Sequence, residues 1–132
     1  MNGRIALGLL MALTIQFVLQ GLTDRYLSGI SAGDAYMTQA VWGSVAALVA
    51  MTLGGIVARH RFLIPALIMQ AVILTASFVI LGKIAGDQGG DSSFLSTASG
   101  NWRLLVLTVL ATIIGATAGE RLASLSRRPS TT

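Results

Sequence analysis

Few residues in this chain of 132 are equipped for chemistry, and their spacing limits what they can do. There is no Cys, a single His (His60), and five acids: Asp24, Asp34, Asp87, Asp91 and Glu120. Without Cys there are no disulfides, no thiolate metal sites and no Cys nucleophile. His60 has no second His to share a metal, and Asp87 with Asp91 in a Gly- and Ser-rich stretch are too few ligands for Ca2+. No Ser-His-Asp set, phosphate-binding loop or acid pair is present. The sequence therefore predicts no enzyme, no metal and no cofactor. Proton-coupled transport usually needs a carboxylate or His inside a membrane span. The only acid on a predicted helix is Glu120, at that helix's end.

The remaining polar candidates are neutral and lie inside apolar runs. Gly8, Ala12, Gln16 and Gln20 follow at intervals of four and share one helix face. Ala66, Gln70 and Ser77 share another, at spacings of four and seven. Two readings fit them. In one, Gln16, Gln20, Gln70 and Ser77 line a polar pocket or water path between the first and third helices. In the other, the Gln amides are structural glue between helices, each contact worth about 0.6 kcal/mol.

Two stripes of small residues complete the set: Gly43, Ala47, Ala50, Gly54 and Ala58, and then Ala111, Gly115 and Gly119. Such stripes let helices approach closely in lipid, within one chain or against another. The basic triplet Arg59-His60-Arg61 reads as a positively charged anchor at the membrane surface, or as a contact for anionic lipid.

The elements that must carry these residues follow from composition. Hydrophobic residues make up 54% of the chain and charged residues only 11%, less than half the roughly 25% of an ordinary soluble domain. Mean hydropathy is +0.77. Residues 5–23, 35–58, 62–82 and 104–119 carry no charge. A spanning helix needs about 20 mainly apolar residues. The expected fold is therefore an all-α integral membrane protein with four antiparallel transmembrane helices near 5–23, 37–58, 62–82 and 102–121. Residues 1–125 form one domain, and 126–132 form a disordered cytoplasmic tail. The first run exceeds the 7–15 residues of a signal-peptide core, which favours a retained helix. The three residues Arg59, His60 and Arg61 separate the second and third spans, which forces a hairpin. Asp91 is a candidate N-cap for a short surface helix carrying Phe94 and Leu95.

Shifting the chain by 61 positions lays Ala50 on Ala111, Gly54 on Gly115 and Ala58 on Gly119, a pattern that two repeated helical hairpins would produce. Size and span number are similar to those of the small multidrug resistance transporters. That family depends on a Glu in the middle of its first helix, and residues 11–16 here contain no acid. The small fluoride channels carry Asn in their second helix, and residues 41–55 contain none. Neither family's motif is present.

The expected partners are the lipid bilayer and another membrane protein or a second copy of the chain. The net charge of +4 comes from scattered Arg rather than a basic face, so no nucleic acid is expected. The expected role is a non-catalytic accessory or assembly subunit acting through helix–helix contacts. A small homo-oligomeric channel or transporter is the alternative. Eight Arg against one Lys fit a GC-rich bacterial genome and hence a bacterial inner membrane.

With four spans, Arg4, Arg59, Arg61, Arg121, Arg127 and Arg128 share one side, and Arg25, Lys83 and Arg103 the other. The richer side is cytoplasmic by the positive-inside rule, so both termini lie in the cytoplasm. Tyr26, Tyr36, Trp42 and Trp102 then fall near the outer interface. Ser93→Cys and Ser130→Cys test this orientation. An impermeant thiol reagent added to intact cells should label the first and not the second, and the reverse pattern would invert the topology.

Overall fold

The computed structural model describes residues 3–27, 32–90 and 93–126. They form α1 (Gly3–Leu27), α2 (Ala32–Ala58), α3 (Leu63–Asp87), α4 (Phe94–Gly100) and α5 (Trp102–Leu125), with no strand among the described residues. Four of the helices, all but α4, are long and apolar enough to cross a membrane. By length and composition this is a multi-pass membrane protein. In lipid every backbone N–H and C=O must be satisfied within the chain, and a continuous helix does this locally.

The helices overrun the apolar stretches. α1 continues through Asp24 and Arg25 to Leu27, α3 through Lys83 to Asp87, and α5 to Leu125. Charge ends an apolar run but does not break the i to i−4 ladder, so the helices continue past it. At 1.5 Å per residue, 25 residues make about 37 Å, enough to pass a hydrocarbon core about 30 Å thick. The short helix α4 exists, but its N-cap is Ser93, whose Oγ accepts from Ser96 N at 3.1 Å. Asp91, the expected cap, lies outside the described residues, as do residues 127–132 of the expected tail. α4 buries none of its residues, and Leu95 is 78% exposed.

Small residues decide the packing. α2 lies between α1 and α5 and approaches both at backbone distance. A Cβ on Gly8 would stand 2.6 Å from the Gly54 carbonyl oxygen, and one on Gly54 would stand 2.8 Å from that of Gly8. On the opposite flank a Cβ on Gly115 would come within 2.7 Å of the Leu48 oxygen, and one on Gly55 within 2.9 Å of the Ala116 oxygen. A Cβ on Gly119 would collide with the Thr52 oxygen and lie 2.9 Å from Gly55 Cα. Residue numbers run oppositely across the α1–α2 contact, where Gly8 meets Ala58 and Ala12 meets Gly54, and rise together across the α2–α5 contact. Gly54 and Gly115, superposed by the 61-residue shift, meet different helices: α1 and α2 respectively. α1 and α3 are the least buried of the four long helices. The buried residues of α3 are Ala66, Gln70, Phe78 and Gly82, while Ile64, Ile68 and Val72 are all more than 60% exposed.

The glycine contacts set a stability test. Gly119→Ala puts a methyl into the Thr52 carbonyl and Gly54→Leu drives a side chain into α1, each costing about 1–3 kcal/mol. Gly43 has nothing within 4 Å of an added Cβ, so Gly43→Ala is the control. Thermal unfolding in detergent should fall for the first two and hold for the third. Equal midpoints would show that these backbones do not meet.

Candidate functional site

Two polar constellations stand out, and they are built differently. The first is the α2–α3 turn. Arg59 and Arg61 both adopt positive φ, 71° and 57°. For residues with a Cβ, the left-handed region costs about 1–2 kcal/mol each. What holds them there is the residue that follows. Phe62 is fully buried, and its ring tip would lie 2.7 Å from a Cβ on Gly54, so the ring seats where α1 and α2 meet. Phe62 is also the N-cap of α3, and a phenyl ring cannot accept a hydrogen bond. Glu120, on α5, supplies the acceptor: Phe62 N donates to Glu120 Oε1 at 2.5 Å and Leu63 N at 3.3 Å. A carboxylate at a helix N-terminus also meets the positive end of the helix dipole. Pro65, in the same first turn, lacks an N–H that would have had no intrahelical partner. Glu120 thus acts as a cap between helices. Arg59, His60 and Arg61 remain exposed beside it, free to meet a membrane surface.

The second constellation is neutral. Of the four polar-face candidates, Gln16 is 7% exposed and Gln70 2% exposed, whereas Gln20 and Ser77 are exposed. Ser77 Oγ donates to the Ile73 carbonyl of its own helix. Gln16 shares the face of Gly8 and Ala12 that packs on α2. Gln70 lines a cleft of about 330 Å3 against α5, with Phe94 of α4 at its far end. Gln16 Oε1 and Gln70 Oε1 are both buried without a hydrogen-bond partner among the described residues. Thr75, Thr108 and Thr112 offer no help, since each hydroxyl donates to a carbonyl one turn earlier in its own helix.

A third feature is an open apolar cleft of about 590 Å3 between α1 and α2, beyond their glycine contact, walled by Leu19, Leu22, Tyr26, Trp42, Val45 and Val49. Among the small-residue candidates, Ala47, Ala50, Gly54, Ala58, Ala111, Gly115 and Gly119 are buried within the chain, and Gly43 is half-buried with open space beside it. Among the described residues no group of three or more His, Cys, Asp or Glu could hold a metal. Arg103 lies over the Trp102 ring, its Cζ 5.7 Å from the centroid. No family model matches the chain, and comparison with curated proteins and with solved structures found no match.

The capping role of Glu120 and the anchoring role of Phe62 had no signal in the spacing, because the two lie 58 positions apart. The cap has a measurable consequence. Glu120→Ala leaves the Phe62 and Leu63 N–H groups unmet in a part-buried site, at a cost of about 1–3 kcal/mol. Glu120→Gln keeps an acceptor oxygen and should cost less. Thermal unfolding in detergent should rank wild type above Gln and Gln above Ala. An unchanged Ala variant would remove the cap.

Proposed function

We propose that this chain is a non-catalytic accessory or assembly subunit of a membrane complex, acting through helix–helix contacts. It would lie in a bacterial inner membrane, its spans alternating in direction and both termini in the cytoplasm. The observation that carries the reading is the commitment of Glu120 to capping α3. Glu120 is engaged in structure, Asp24, Asp34 and Asp87 stand in the first or last turn of their helices, and no carboxylate or His lies deep in a span to load and release a proton. Chemistry needing a buried proton carrier is beyond this chain alone.

What the chain can offer is surface. Its glycine stripes are engaged between α1, α2 and α5, so contact with a partner falls to larger residues. Ile64, Ile68 and Val72 follow at intervals of four and form an apolar ridge on α3, which with α1 is the least buried of the four long helices. Against lipid this ridge gains little, because lipid tails are as apolar as the side chains. Against a complementary helix it gains close packing. Ile68→Ala removes the middle of the ridge without touching the buried face.

Extraction from native membranes in mild detergent, followed by native mass spectrometry, should recover the wild type with a stoichiometric membrane-protein partner and Ile68→Ala with less of it. The purified chain in liposomes should show no proton-coupled uptake. Robust uptake driven by a pH gradient would overturn the subunit reading in favour of a small transporter.

A further inference from the structure

The end of the bundle that carries the α2–α3 turn gathers cations from α1, from α5 and from the turn itself. Arg59, His60 and Arg61 are exposed in the turn. α1 adds Arg4. Across the α1–α2 contact Ala12 meets Gly54 and Gly8 meets Ala58, so Arg4, one helical turn further along the same face, comes to the level of the turn. α5 adds Arg121, the residue after Glu120, whose Oε1 accepts from Phe62 N at 2.5 Å. Arg4 and Arg121 are both exposed. Among the described residues Glu120 is the only acid at this end. Asp24, Asp34 and Asp87 stand at the far ends of α1, α2 and α3, roughly 30 Å or more along their helices and well beyond a screening length of about 8 Å. Four guanidinium groups therefore stand against one carboxylate, and that carboxylate already accepts from two backbone N–H groups.

An anchor at the membrane surface needs positive charge and no particular geometry. This turn has a particular geometry. Arg59 and Arg61 hold left-handed backbone conformations, φ 71° and 57°, where Gly or Asn would sit at less cost. Strain kept at two charged positions points to a use for the charge. A guanidinium fork matches the oxygens of a phosphate bidentately. Depth selects where the phosphate comes from. The turn ends where the apolar span of α3 begins, at Leu63, which puts it at the level of lipid headgroups. Next to Arg4 on α1, Leu7 and Leu10 are 57% and 67% exposed. Acyl chains can lie on that face, and a soluble phosphate would leave it bare. A single phosphodiester brings one negative charge, and two match the excess of cations better.

We propose that this end of the bundle binds an anionic phospholipid with two phosphates, its headgroup held by Arg4, Arg59 and Arg61 with Arg121 at the flank, and its acyl chains along Leu7 and Leu10. The assignment depends neither on which side of the membrane this end faces nor on a protein partner.

Native mass spectrometry of the full chain tests it. The delipidated chain in detergent is offered equal amounts of tetraoleoyl cardiolipin, dioleoyl phosphatidylglycerol and dioleoyl phosphatidylcholine. Wild type should retain cardiolipin about tenfold over phosphatidylcholine and, counted per phosphate, about threefold over phosphatidylglycerol. Arg59→Asn combined with Arg61→Asn should abolish the preference, and a preference that survives would overturn the role of the turn. Asn suits the left-handed region, so this variant should unfold no earlier than wild type, and its lost lipid reports lost charge. Arg25→Gln combined with Lys83→Gln removes two charges at the far ends of α1 and α3 and should keep the preference. Its loss there as well would overturn the location. Equal retention of all three lipids by wild type would overturn the site without recourse to any variant. Equal retention of cardiolipin and phosphatidylglycerol per phosphate would overturn the two-phosphate ligand. Displacement of cardiolipin by millimolar inorganic phosphate would assign the cluster to a soluble anion and overturn the lipid.

Discussion

The rest of the structure depends on the contact of three helix backbones without intervening side chains. Lipid supplies no hydrophobic drive between helices, so dispersion at close range and lipid release must hold them together. Dispersion falls steeply with distance, and only residues without a Cβ bring one backbone against another. Gly8 and Gly54 achieve this between α1 and α2, and Gly55, Gly115 and Gly119 between α2 and α5. α2 is the shared member. The core it organises is correspondingly poor in large side chains: Ala12, Ala47, Ala50, Ala58 and Ala116, with Met51 and Phe62 as the bulky exceptions.

The α2–α3 turn depends on that contact. Phe62 can bury its ring because Gly54 leaves room for it. Burial of the ring stabilises a turn in which Arg59 and Arg61 adopt left-handed backbone conformations. The Glu120 carboxylate then ties the start of α3 to α5. One glycine thus underlies a helix crossing, a strained turn and the placement of a third helix. The exposure of Arg59, His60 and Arg61 follows, since the inward position of the turn is occupied by a phenyl ring.

Farther into the span, α3 departs from α5 enough to leave a cleft, and there the polar accounting of a membrane protein does not close within the chain. Hydroxyls close it locally by bonding to the preceding turn. A Gln amide is too long for that economy and must find a partner elsewhere. Gln16 and Gln70 both keep unmet oxygens among the described residues.

Much was legible in the residues alone. Four uncharged runs of spanning length require four helices, because an apolar backbone in lipid has no other way to satisfy its hydrogen bonds than locally. The link between α2 and α3, Arg59 to Phe62, is as short as the charged triplet implies, and several of the small residues stand where helices approach closely. Helix ends were less legible: Asp24, Arg25 and Lys83 end the apolar runs, yet the hydrogen-bond ladder runs through them. What only the tertiary structure decided is which faces meet. A glycine stripe admits any neighbour, so nothing local assigns Gly54 to α1 and Gly119 to α2. The bond between Glu120 and Phe62 spans two helices and a loop, and no periodicity encodes it. The cleft beside Gln70 is a space between elements rather than a property of one. Local residue type sets each helix, and the matching of shapes across the whole chain sets what lies between the helices.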